Sequence, residues 1–414
     1  MSKFVKLGEI AELTVGFVGT MAQHYTENGI PFLRSLNIKP FEIYNGDMKY
    51  VSSDFNRKIA KSILHTDDVV IVRTGVPGTC SVVPEKYDGC NCSDVVIVRP
   101  KHELVNPHYL AAYINFWGQK QISNNKVGAV QKHFNVRSAE QMLIFLPGRA
   151  EQERIGQFIK SLNGKIQTNN RINDNLQQQL KLLYDYWFTQ FDFPDENGNP
   201  YKSSGGSMEH PGNAPYAVPA GWKVESIYKN TLTTIIKPGV DPFTTKTYLA
   251  TGEVNGTNIS TGTIVEFATR ESRANMQPSV NSVWFAKMKN SIKHLYLNNP
   301  MKRLIEGSIL STGFCGLQCS EQSFEYIASF IEHSYFETIK DTLAHGATQE
   351  AVNNDDLAGI ALVIPSERVL ADYHELTKGI YAKISQNICE NQSLTQLRDW
   401  LLPMLMNGQA TIND

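Results

Sequence analysis

VGAVQKHFNVRSAEQMLIFLP, residues 127–147, recurs in outline as HGATQEAVNNDDLAGIALVIP, residues 345–365, at an offset of 218. Gly128 meets Gly346, Ala129 meets Ala347, Gln131 meets Gln349, Asn135 meets Asn353 and Pro147 meets Pro365. Upstream, NPHYLAAYI (106–114) pairs with SFEYIASFI (323–331) at offset 217, so that Tyr109 meets Tyr326, Ala111 meets Ala328 and Ile114 meets Ile331. Nearer the start, VKLGEI (5–10) resembles WKVESI (222–227). Chance similarity between short amphipathic segments does not keep one order and nearly one offset. The chain reads as an internal duplication whose unit is a whole domain plus a helix.

Each matched proline is followed by a long polar stretch of helical period. In the first, Ile155, Ile159, Leu162, Ile166, Asn169, Asn173, Leu176, Leu180, Leu183 and Trp187 follow steps of three and four. In the second, Ile380, Ile384, Asn387, Asn391, Leu394, Arg398, Leu401 and Leu405 do the same. This is the seam of a coiled coil. The asparagines are equivalent, Asn169 to Asn387 and Asn173 to Asn391, and a polar seam residue fixes register at a cost in stability; the alternative places them on a solvated flank. A helix of about 40 residues is about 60 Å long and cannot bury its seam alone. The expected fold is α+β, with two similar globular domains separated by two long antiparallel helices in a pseudo-two-fold, dumbbell-like repeat. Pro403 is expected to kink or end the second helix.

The expected boundaries are 1–147 for the first globular domain, 148–191 for the first helix, 192–215 for a Gly/Pro/Ser-rich linker, 216–365 for the second domain and 366–414 for the second helix. The first domain alternates β-like runs (VVIV at 69–72 and at 95–98) with Gly/Pro turns such as TGVPGTC, residues 74–80, and helical stretches such as 107–117. It reads as a curved, mostly antiparallel sheet with helices. At 41% hydrophobic and 19% charged, the chain has the composition of a soluble globular protein. No apolar run reaches the roughly 18–20 residues of a membrane span, and MSKFVKLGEIAEL lacks the features of a signal peptide. Six irregularly spaced cysteines point to a reducing cytosol rather than a disulfide framework. Net charge is −2, with +4 in residues 1–150 and −2 in each of 151–220, 221–365 and 366–414.

At this point the residues resemble a known family. LYDYWFTQFDFPDENGNPYKSSGGSM (183–208) is similar to the central conserved region of type I restriction–modification specificity subunits, and LRDWLLPMLMNGQ (397–409) to their C-terminal end. LPGRAEQERIGQFI (146–159) resembles the family's entry into its first helix, with Gly148 where a second proline is usual. GAVQKHF (128–134) and GATQEAV (346–352) resemble a motif late in each target recognition domain, and GIPFLRSLNI (29–38) and DDVVIVRTGVPG (67–78) resemble strands of the first. LATGEVNG (249–256) and SVWFAKM (282–288) echo their first-half counterparts loosely. The resemblance implies a non-catalytic cytoplasmic subunit that reads a split, asymmetric double-stranded DNA target through two target recognition domains, with the helices as a ruler. It further implies two methyltransferase (modification) subunits and restriction/motor subunits, which bring S-adenosylmethionine, ATP and Mg; no cofactor is expected on this chain and no membrane.

The absent motifs agree. There is no Asn/Asp-Pro-Pro-aromatic methyltransferase motif, Asp241-Pro242-Phe243 being one proline short, no GxxxxGK[ST] phosphate loop and no HExxH. Cys90-x-Cys92 and Cys315-xxx-Cys319 are at most half metal sites, lacking a second ligand pair, so no metal is expected. A cysteine hydrolase using Cys315 and His345 would need a shared pocket. Candidate DNA contacts are Arg34 and Arg73 beside strand-like segments; Lys126, Gln131, Lys132 and His133 around the first glycine motif, with Gln349 as the counterpart of Gln131; and the basic stretch Lys287, Lys289, Lys293, Lys302 and Arg303. A backbone-bracing glutamine and an ordinary solvated basic face are the structural alternatives. A duplicated scaffold bridging two copies of a protein partner, and a stand-alone enzyme, are the competing functions.

Overall fold

The computed structural model describes residues 3–118, 121, 134–212 and 216–412. The chain divides into two compact units, one formed by Met1–Lys165 with Leu394–Asp414, the other by Ile166–Ser393.

In the first unit, the run VVIV at Val69–Val72 forms a strand flanked by Val95–Pro100 and Cys80–Val82, with Ala11–Val15 beyond Val95–Pro100; every pairing in this four-stranded sheet is antiparallel. Val69, Ile71, Val96 and Val98 enter one apolar cluster, while Val70, Val72, Val95 and Ile97 enter another. The side-chain period of two therefore buries both faces of the sheet, which is why these strands read as continuous apolar runs. A second four-stranded sheet runs Asn91–Cys92, Ile30–Leu33, Lys49–Val51, Tyr25–Thr26, with its first pair parallel. Lys3–Lys6 closes the unit by pairing antiparallel with Leu143–Leu146.

The second unit repeats this plan. Thr233–Ile235, Phe314–Cys319, Ser282–Ala286 and His294–Leu297 form one all-antiparallel sheet. Thr263–Glu266, Thr245–Leu249, Ser308–Ser311 and Ala274–Met276 form the other, with Thr245–Leu249 parallel to Ser308–Ser311. Lys223–Ser226 closes it against Ala361–Ile364. The duplication extends to single hydrogen bonds. The buried Tyr109 hydroxyl donates to the carbonyl of Phe145 at 2.6 Å, and its counterpart Tyr326 donates to Val363, the counterpart of Phe145, at 2.5 Å.

The two long helices are Arg149–Tyr184 and Glu367–Met406. The first continues as a wider helical turn, Asp185–Thr189. In the first unit, Ile155, Ile159, Leu402, Leu405 and Met406 join the core of the sheet domain, and Arg398 donates to Asn163 Oδ1 at 2.9 Å. In the second, Leu180, Tyr184, Trp187, Tyr373, Tyr381 and Ile384 join a core built on Trp284, Phe285, Phe314 and Phe324. The expectation that Pro403 ends the second helix needs correction: the helix runs through it to Met406. The missing N–H falls in the last turn, and the carbonyl of Pro403 still accepts from Asn407 at 3.2 Å.

The Gly/Pro/Ser-rich stretch expected as a linker is, through residue 212, packed rather than free chain. Phe191 and Phe193 are buried against Trp222, Asp192 accepts from the backbone N–H and hydroxyl of Ser203, and Met208–Glu209 pairs with Val218–Pro219.

Candidate nucleic-acid interface

The strands Ser282–Ala286 and His294–Leu297 are buried on both faces, so the connecting loop, 287–293, emerges from a rigid base. The loop carries Lys287, Lys289 and Lys293 and turns at Asn290, whose φ of +56° suits the short amide side chain. One flank is paired with the glycine–glutamine motif. Lys289 N–H donates to Glu350 at 3.0 Å, Val352 N–H donates to Lys287 at 3.0 Å, and Met288 bridges Ala351. Lys289 Nζ also pairs with the Glu350 carboxylate at 2.7 Å. Two stretches far apart in sequence, the basic run and the motif around Gln349, therefore form one exposed surface.

Gly346 explains the glycine of that motif. Its φ is +141°, and a Cβ there would lie 2.5 Å from the Gln349 carbonyl oxygen, so the tight turn presenting Gln349 excludes larger residues.

The other flank of the loop rests on a buried charge cluster that the sequence reading missed. Lys340 has no exposed surface. Its three N–H donors reach Glu337 Oε2 at 2.6 Å, the Ala286 carbonyl at 3.3 Å, where the loop begins, and the Ser291 carbonyl at 3.4 Å, beside the turn at Asn290. Asp341 accepts from the Asn290 N–H at 3.1 Å. His294 Nδ1 faces Glu332 at 3.0 Å and its Nε2 faces Glu337 at 2.9 Å, and the Tyr296 hydroxyl donates to Glu332. Burial works against a charged imidazole, but the two carboxylates outweigh it and raise the His294 pKa. Burial likewise opposes ionisation of Glu332 and Glu337; hydrogen bonds from His294, and for Glu337 also from Lys340, hold both below the usual carboxyl range. The shifts of His294, Glu332 and Glu337 all favour their charged forms, in which both ring nitrogens donate. The only sequence signal was the spacing Glu337-x-x-Lys340, which looks like any helical ion pair.

The remaining predicted residues fall elsewhere. Lys293 Nζ donates to the Thr251 carbonyl. Lys302 and Arg303 are exposed on a separate short helix, Lys302–Gly307, with Lys302 3.8 Å from Glu306; among the described residues no hydrogen bond or ion pair joins them to the loop. In the first unit, Arg34 Nη2 pairs with the Asp47 carboxylate at 3.0 Å, and Lys49 shares that carboxylate at 2.8 Å. The hydrogen bond from Lys49, then that from Arg34, lowers the Asp47 pKa. Arg73 follows the strand Val69–Val72 as Lys287 follows Ser282–Ala286, and its Nε donates to the carbonyl of Phe134, the counterpart of Val352, at 3.1 Å. Lys126, Gln131, Lys132 and His133 lie outside the described residues.

The register asparagines meet in the second unit. Asn387 Nδ2 donates to Asn173 Oδ1 at 2.8 Å, and Asn169 Nδ2 to Asn391 Oδ1 at 2.9 Å. Asn169, Asn173 and Asn387 are buried, so they do not lie on a solvated flank.

Cys90 and Cys92 are buried in the first unit and Cys315 and Cys319 in the second. Burial pushes the Cys90 and Cys315 thiols up to about 12, which disfavours the thiolate that a nucleophile or metal ligand requires. His345 is exposed and faces Asp356 at 3.5 Å. Among the described residues, no group of three or more His, Cys, Asp or Glu is placed to hold a metal, and no helix is long and apolar enough to cross a membrane.

Known proteins resemble this chain in both sequence and fold. Residues 2–178 match the model of the type I restriction modification DNA specificity domain. The chain is 22% identical over 373 residues to the HindI specificity subunit, a type I restriction enzyme component of Haemophilus influenzae, covering 76% of this chain and 80% of that one. Residues 2–178 thus resemble a type I DNA specificity domain, and the chain as a whole is similar to a type I specificity subunit. Its fold is also similar to the crystal structure of the type I S subunit from M. genitalium, with a TM-score of 0.52, 12% identity, and coverage of 98% of this chain and 96% of that chain.

Proposed function

We propose that this specificity subunit reads an asymmetric, two-part DNA target, one part through each sheet-rich unit. The two units are its target recognition domains. The observation that carries the reading is one topology used twice with different side chains at equivalent loops: Arg73-Thr-Gly-Val-Pro-Gly in the first, Lys287-Met-Lys-Asn-Ser-Ile in the second. Equivalent scaffolds bring equivalent elements to the duplex, and unlike loops read unlike sequences. Lysine and arginine at these loops supply the phosphate attraction that holds register.

The long helices hold the two parts of the target at a fixed gap and dock the partners: methyltransferase subunits, two per chain in keeping with the repeat, and restriction/motor subunits. The chain itself is non-catalytic and binds no cofactor; S-adenosylmethionine, ATP and Mg belong to the partner subunits, and the complex works in the cytoplasm. Among the described residues the buried high-pKa thiols and scattered histidines support this division of labour.

The test is methyl transfer to duplex DNA with S-adenosylmethionine, comparing the chain alone, its methyltransferase subunits alone, and the two combined. Sequence-specific transfer only in the combination is expected. Transfer by the chain alone would overturn the non-catalytic assignment, and unchanged transfer by the methyltransferase without the chain would favour a scaffold that does not read DNA.

A further inference from the structure

In each unit the hairpin loop that joins two core strands carries an exposed aliphatic side chain, at the apex in the first and two residues past the apex in the second. In the first, Val69–Val72 and Cys80–Val82 are joined by Arg73–Thr79, and Val76 is 65% exposed. In the second, Ser282–Ala286 and His294–Leu297 are joined by Lys287–Lys293, and Ile292 is 61% exposed. The strands are equivalent in the duplicated sheets, so the two loops occupy the same place in the fold, with Ile292 two positions further along its loop than Val76. Neither aliphatic group belongs to an apolar cluster of its unit.

The tips are also held in shape. Val72 N–H donates to Thr79 and Gly78 N–H to Val72 across the first. Lys340 binds the carbonyls of Ala286, where the second loop begins, and of Ser291 beside its apex, and Asp341 holds the apex at Asn290. Each is flanked by a cation, Arg73 in one, Lys287 and Lys289 in the other. An exposed aliphatic group on a preformed, basic hairpin fits a partner that is anionic outside and offers apolar patches within a groove. Duplex DNA offers one such patch on the base edges of its major groove, the thymine methyl.

Resting on the two-domain reading above, we propose that Val76 and Ile292 are specificity-determining residues, each meeting a thymine methyl in the half of the target that its own domain reads. The basic neighbours position the tip through phosphates, and the aliphatic group contributes discrimination without charge.

The experiment uses the full chain with its methyltransferase partner, comparing wild type, Val76→Ser and Ile292→Ser by sequencing-based mapping of N6-methyladenine and by binding to duplexes carrying the wild-type motif. Each variant is expected to relax one A·T position, the two variants in opposite halves, with affinity for the original duplex lowered about tenfold. The salt dependence should stay the same, because serine removes no positive charge. Replacing that thymine by deoxyuracil should weaken wild type by a similar factor and leave the variant unaffected. Unchanged motifs and affinities for both variants, or one variant degrading both halves, would overturn the proposal while leaving the two-domain reading intact. Absence of any split motif with the wild-type chain would overturn the two-domain reading, and the proposal with it.

Discussion

Asn387 donates its side-chain N–H to Asn173 Oδ1 at 2.8 Å, and the same contact recurs with the helices exchanged, Asn169 to Asn391 at 2.9 Å. Asn169 is the sequence counterpart of Asn387, and Asn173 of Asn391. A reciprocal pair of contacts, each joining one asparagine to the counterpart of the other across two antiparallel helices, holds only in one register. Sliding either helix by a turn would break both bonds and bury four amides beside apolar side chains. The pairing is costly: the Oδ1 atoms of Asn169 and Asn387 are buried without a hydrogen-bond partner among the described residues. Stability is spent here on register.

A double-mutant cycle separates the two effects. Asn387→Leu alone leaves Asn173 facing an apolar group and should cost about 1–3 kcal/mol. Adding Asn173→Leu should recover part of that loss, with a coupling of about 0.5–3 kcal/mol in denaturant melts. Additive losses would mean that the two amides do not act as a pair. Replacing Asn169 and Asn387 together should leave a folded protein whose preferred gap between half-sites broadens, measured with duplexes of varied spacer length.

Lys340→Met should be severe. It leaves Glu337 without its ammonium partner and frees the carbonyls of Ala286 and Ser291 that anchor the 287–293 loop, a loss of about 3–5 kcal/mol. Hydrogen exchange should show the Lys289 and Asn290 amides losing protection first, before the core strands on either side.

The buried cluster also sets a pH dependence. His294 is raised above its ordinary 6.5, so its contribution is complete below that value and is lost as pH rises through the folded pKa. Glu332 and Glu337 are lowered from 4.5, so theirs is complete above that value and is lost as pH falls through their folded pKa values. Melting temperature should therefore decline on both sides of this window. In His294→Gln the alkaline decline should flatten, because the group that loses its proton is gone; an unchanged alkaline limb would remove His294 from the account.

Gly346→Ala forces a Cβ onto the Gln349 carbonyl at a φ of +141° and should cost about 1–3 kcal/mol while weakening DNA binding through the displaced loop. Gly379→Ala is the control: it is exposed in the second long helix with open space at its Cβ and should gain about 0.5–1 kcal/mol. Equal effects at the two sites would refute the steric argument.

Changing Lys287, Lys289 and Lys293 together to Ala should lower DNA affinity and reduce the slope of log affinity against log salt by about one to three. The reduction should fall short of the full charge count, because Lys289 is already paired with Glu350 at 2.7 Å. An unchanged slope would make the lysines an ordinary solvated surface.

The duplication and the helices were legible because both leave periodic, order-preserving traces: paired Gly, Gln, Asn and Pro at one offset, and a seam in steps of three and four. The doubly buried strands were legible as VVIV runs. Four features were not. That the 192–212 stretch packs depends on Phe191 and Phe193 reaching Trp222, a long-range contact that composition hides. Pro403 looked like a stop, but one lost N–H near a helix end does not end a helix held by Leu402, Leu405 and Met406 in the core. The cluster around Lys340 unites residues from a strand and two helices, and no local pattern announces a lysine with every donor filled from inside the fold. The joining of the basic run to the glycine–glutamine motif is likewise a tertiary fact; sequence supplied both pieces but not their contact.

The central claim, that this chain selects a split DNA target for partner enzymes, is tested most directly by mapping N6-methyladenine genome-wide in cells carrying its neighbouring methyltransferase, with and without the chain. The account predicts a methylated motif of two short, unlike halves around a fixed undefined gap, lost when the chain is deleted. A methylation pattern unaltered by deletion, with the methyltransferase expressed and active, would contradict it.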